Sequence, residues 1–95
     1  MADFSAQTVL EQLGGKKFIA MTGARNFTKG KDFIQFKLPK AKKGISYVKI
    51  TLTEMDVYTI EFLSKTGKVI EKAEDVYNDQ LQNIFTKNTG LETHL

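Results

Sequence analysis

The stretch Ser46-Tyr47-Val48-Lys49-Ile50-Thr51-Leu52-Thr53 alternates cleanly, with Val48, Ile50 and Leu52 on one side and Tyr47, Lys49, Thr51 and Thr53 on the other. A period of two is the signature of a strand buried on one face and wet on the other. Antiparallel sheets carry that two-sided character, so this segment predicts such a sheet. Working outward, Glu54-Met55-Asp56 makes a short connection. Val57 to Leu63 resumes the alternation, with Tyr58, Ile60 and Phe62 opposed to Val57, Thr59, Glu61 and Leu63. The two segments predict a hairpin. Lys65-Thr66-Gly67-Lys68 reads as a second hairpin turn into a shorter strand over Val69 to Lys72.

On the N-terminal side, Phe33 to Leu38 places Ile34, Phe36 and Leu38 on one face and Phe33, Gln35 and Lys37 on the other. Lys29-Gly30-Lys31-Asp32 precedes it as turn chemistry. The run Pro39 to Gly44 follows as an exposed loop, since proline cannot donate to a ladder. Lys16 to Thr22 (KKFIAMT) has the aromatic and β-branched content of a further strand, closed by the turn residues Gly23-Ala24-Arg25-Asn26.

Helices flank the strands. Ser5 can cap a helix over Ala6 to Leu13 whose stripe is Ala6, Val9, Leu10 and Leu13, with Gly14 as its stop. A last helix is expected to start at Asp75 or Glu74 and to end at Gly90. Its stripe is Val76, Tyr77, Leu81, Ile84 and Phe85, with Leu91 as a further member. The expected fold is α+β, an antiparallel meander of four to five strands with an N-terminal and a C-terminal helix packed on one face.

At 95 residues, 41 % apolar and 26 % charged, the chain is expected to form a single domain over 1–95 with one core. It has no cysteine, so thiol redox chemistry, disulfides and thiolate metal sites are excluded. No segment approaches the roughly 18 to 20 apolar residues of a membrane span, and the first 25 residues have no signal-peptide run, which makes the expected location cytoplasmic.

Reactive constellations are absent from the pattern. His94 is the one histidine, beside the last residue, without the fixed partner a general base needs. Asp75 and Asp79, one helical turn apart on the expected helix, are explained by its dipole before any cation. Glu54 and Asp56 read as turn residues. Gly14-Gly15-Lys16-Lys17 has a helix before it and a strand after it, the reverse of a phosphate-cradling loop. The expectation is therefore no enzyme, no metal and no cofactor.

Charge is the informative feature. The net charge is +3, and Arg25 to Lys49 alone carries +7, with Arg25, Lys29, Lys31, Lys37, Lys40, Lys42, Lys43 and Lys49 against Asp32. Ile50 to Leu95 carries −4, so the chain is a charge dipole along its length. A basic segment attracts polyanions, and the alternation places Phe33 and Tyr47 on the face of Lys37 and Lys49. Aromatic rings among bases on an open sheet suit single-stranded nucleic acid. The expected nucleic-acid-binding residues are those eight bases with Phe33 and Tyr47. Lysines also solubilise loops and guard sheet edges. The same face allows a second reading, a protein-protein interaction module or an inhibitor of a host factor, in which Phe33, Tyr47, Val57 and Leu63 cluster into an apolar patch for a protein partner or a second copy of the chain.

The run from Leu13 to Phe27, LGGKKFIAMTGARNF, resembles the opening of a small protein family of bacteriophages and mobile genetic elements. Phe36-Lys37-Leu38-Pro39, Val48-Lys49-Ile50-Thr51-Leu52, Val76-Tyr77-Asn78-Asp79 and Thr89-Gly90-Leu91 resemble later segments of that family in the same order. The resemblance spans nearly the whole chain and is most specific at MTGA-R-NF. It implies an accessory protein of a phage or plasmid, at work in the host cytoplasm, and it carries no assigned activity. Within it, Gly23 suits a positive φ, Phe27 suits a cap on the core, and Arg25 suits phosphate or carboxylate.

Overall fold

The computed structural model describes residues 6–39 and 44–90. The order is α1 (Ala6–Leu13), α2 (Lys16–Thr22), β1 (Arg25–Lys29), β2 (Phe33–Lys37), β3 (Ile45–Leu52), β4 (Tyr58–Ser64), β5 (Val69–Val76), a 3-10 turn (Asn78–Gln80) and α3 (Leu81–Thr89). The strands form one sheet in the order β1-β2-β3-β4-β5, every pair antiparallel. The fold is α+β, a five-stranded meander with the helices on one face. Ser5, Lys40, Lys42, Lys43, Leu91 and His94 lie outside the described residues.

The alternation of SYVKITLT is realised as read. Val48 and Ile50 are buried, whereas Tyr47, Lys49 and Thr51 are only half-buried on the opposite side. Ile34, Phe36, Ile60 and Phe62 share the inner face with Val48 and Ile50, and meet Val9 and Leu13 of α1, Phe18 of α2, and Leu81 and Phe85 of α3. Phe36 is the junction. Its ring centroid lies 5.4 Å from Phe18, 5.5 Å from Phe27 and 6.3 Å from Phe85, and Phe18 lies 5.2 Å from Phe85. Such edge and tilted contacts suit the aromatic quadrupole. Gln82 Nε2 donates to the Leu13 carbonyl at 3.0 Å, so α3 also satisfies an orphan carbonyl at the end of α1.

Three expectations are corrected. Lys16 to Thr22 is a helix, not a strand: Phe18 and Thr22, four apart, are buried while Ile19 and Ala20 between them are exposed. That is helical spacing, and Lys, Ala and Met are good helix formers. The Thr22 hydroxyl donates to the Phe18 carbonyl at 2.7 Å, and Gly23 stops the helix at φ 70° with its N–H on the Ile19 carbonyl.

Second, the missing strand is Arg25–Lys29, of which Arg25, Asn26 and Lys29 were expected in turns. It is an exposed edge strand with no inward alternation to betray it, and Asn26 sits at φ 57° in an irregularity between Arg25 and Thr28.

Third, no helix begins at Glu74 or Asp75. β5 runs to Val76, with Asp75 at φ 56°, and α3 follows the 3-10 turn, where the Tyr77 N–H donates to Gln80 Oε1 at 3.0 Å. Val76 is buried as a strand residue and Tyr77 is exposed. Asp75 and Asp79 therefore do not share a helical turn. The stop at Gly90 is as expected, at φ 74° with its N–H on the Thr86 carbonyl.

Candidate nucleic-acid interface

Among the described residues no helix covers the outer face of the sheet, and the register arranges it in rows. Arg25 of β1 stands opposite Lys37 of β2, Lys37 opposite Tyr47 of β3, Tyr47 opposite Leu63 of β4, and Leu63 opposite Val69 of β5. The next row runs Thr28, Gln35, Lys49, Glu61, Lys72, and a third holds Phe33, Thr51 and Thr59. The face is thus divided. Its β1–β3 side carries Arg25, Lys37 and Lys49, and its β4–β5 side carries Glu61 with Lys72 and Glu74, which pair at 3.3 Å.

The turn that leads into Arg25 is closely packed. Gly23 in the left-handed region turns the chain out of α2, and a Cβ there would lie 2.9 Å from Pro39 Cγ, so the turn is seated against the end of β2. Ala24 is buried and its N–H donates to Thr22 Oγ1 at 3.2 Å. Arg25 is the register partner of Lys37, and the left-handed Asn26 follows it in the irregularity between Arg25 and Thr28. Like charges directly opposite on a sheet repel, and among the described residues neither Arg25 nor Lys37 has an acid within ion-pair distance.

Lys49 faces Glu61 in register yet does not turn to it. Its Nζ lies over the Phe33 ring, 4.7 Å from the centroid, a cation–π contact. The other neighbour of that ring is the β1–β2 turn: a Cβ on Gly30 would clash with the Phe33 ring, so the phenyl packs closely on glycine backbone. Phe33 is therefore engaged on the sheet rather than held out to solvent.

The sequence-derived residues fall into groups. Arg25, Lys37, Tyr47 and Lys49 share the outer face, with Phe33 beneath Lys49. Lys29 stands opposite the core residue Ile34, so it belongs to the helix side of the edge, and Lys31 is exposed in the β1–β2 turn. Lys40, Lys42 and Lys43 lie outside the described residues. The expected apolar cluster is revised too. Val57 is buried just before β4, Phe33 stands in a separate row, and exposed Val69 joins Tyr47 and Leu63 instead. Val69 was not anticipated on this face, because its pairing depends on a β5 irregularity that no local pattern announces.

Among the described residues no three His, Asp or Glu side chains gather as a metal site, and no helix is long and apolar enough to cross a membrane. Burial raises the Tyr58 phenol above its usual value, opposed by a hydrogen bond with the Gln12 side chain. It lies on the core side and belongs to packing. No family model, curated protein or solved structure matches the chain.

Proposed function

We propose that the protein is a non-enzymatic nucleic-acid binder that uses the basic side of its open sheet face, with Arg25, Lys37 and Lys49 as the contacting groups. The observation that carries this reading is the opposition of Arg25 and Lys37 with no acid among the described residues paired to either. The fold bears that repulsion in a corner built from Gly23, Ala24, Asn26 and Pro39, and a bound anion relieves it. Phosphate fits, since a guanidinium binds it in a fork and an ammonium adds a point charge. The resemblance of Leu13 to Phe27 and later segments to a phage and mobile-element family favours an accessory protein of such an element, acting on nucleic acid in the host cytoplasm. Titrating labelled single- and double-stranded oligonucleotides against the protein at low and moderate salt tests it. Binding that weakens steeply with salt is expected, and no binding even at low salt sinks the reading.

A second reading rests on the row Tyr47, Leu63 and Val69, where Val69 is 46 % exposed and continues an apolar strip to the β5 edge. Such a strip suits a protein partner or a second copy of the chain. Light scattering across a concentration series tests the self-association form: a monomer at every concentration removes it.

A further inference from the structure

We infer that nucleic acid is taken by its phosphodiester backbone, anchored between Arg25 and Lys37, and not by stacking of its bases. This deepens the proposed function and rests on it for the class of ligand. Sheets that read single strands set out neighbouring free rings on which successive bases stack. Here the two candidate rings are Phe33 and Tyr47, and they are not equivalent. Phe33 lies against the Gly30 backbone, with the Lys49 ammonium over its face. A base would have to displace that cation to stack there. Tyr47 stands half-buried in register between Lys37 and Leu63, a lone ring with no free partner in the rows beside it. The groups left for the ligand are cations. Of these, Arg25 and Lys37 face each other from adjacent strands, where one phosphate can bridge both, while Lys49 is tethered to Phe33. Backbone contacts position a nucleic acid without reading its sequence, so the partner is any strand or duplex that presents phosphates to this corner.

The test compares, by fluorescence anisotropy with the unaltered protein, a homothymidine oligonucleotide, an abasic strand of the same length, and a duplex. Backbone recognition predicts that the abasic strand binds within about twofold of homothymidine, whereas each lost stacked base would weaken binding roughly 5- to 150-fold. Homothymidine bound well and the abasic strand poorly would overturn the backbone mode and leave nucleic-acid binding standing. No binding to any of the three would overturn both. Arg25→Gln and Lys37→Gln should each weaken all three ligands alike, and their double variant should lose less than the product of the two, because one phosphate is shared. A fully multiplicative loss would contradict the shared anchor.

Discussion

Gly23 is the residue on which the basic corner turns. At φ 70° with Pro39 Cγ 2.9 Å from where its Cβ would stand, it meets both a conformational and a steric barrier to substitution. Gly23→Ala should lower stability by about 1–2 kcal/mol from the left-handed backbone alone, measured by urea unfolding. Arg25 has the opposite sign. Removing one of two opposed like charges should raise stability on the order of a few tenths of a kcal/mol while it weakens nucleic-acid binding, a split that a merely structural arginine would not produce. Tyr58 supplies a pH signature. Its folded pKa is raised above the unfolded value near 10, so the stability it contributes is complete below that pH and is lost as pH climbs through the folded value. Stability of the native chain above about pH 10 should therefore fall more steeply than that of Tyr58→Phe; parallel profiles would contradict the burial of the phenol.

At the scale of elements, the inner face is organised by Phe36, whose ring joins β1, α2 and α3 through Phe27, Phe18 and Phe85. Phe36→Ala should cost about 3–5 kcal/mol in thermal or denaturant unfolding. Helix α2 offers a sharper discrimination. Ala20 is exposed in it, so Ala20→Val should destabilise by roughly 0.5 kcal/mol on helix propensity, whereas a strand at this position would be indifferent or gain. The central strands were legible because Val48, Ile50, Ile60 and Phe62 alternate with polar neighbours. α2 was not, because a four-residue apolar run, Phe18 to Met21, fits a short helix and a strand equally well. β1 was hidden for another reason: every residue in it is exposed, and the left-handed Asn26 reads as a turn. Lys37, Tyr47 and Lys49 were assignable to one face from alternation. The opposition of Arg25 to Lys37 was not, since it depends on register across an irregular edge.

On the whole molecule the charge dipole of the sequence becomes a division of one surface. Residues 25–49 supply β1 to β3 and the basic side of the open face, and residues after 50 supply β4 and β5, where acids and lysines mix. The meander order converts segregation along the chain into segregation across the sheet, because strands adjacent in sequence are adjacent in space. The most direct measurement of the account is the affinity for a duplex oligonucleotide across a salt series, for the native chain and for Arg25→Gln and Lys37→Gln. Log affinity should fall linearly with log salt concentration; each substitution should weaken binding, and because the two cations share one phosphate the double variant should reduce the slope by about 0.9. A salt-independent affinity, or substitutions that leave both affinity and slope unchanged, would contradict it.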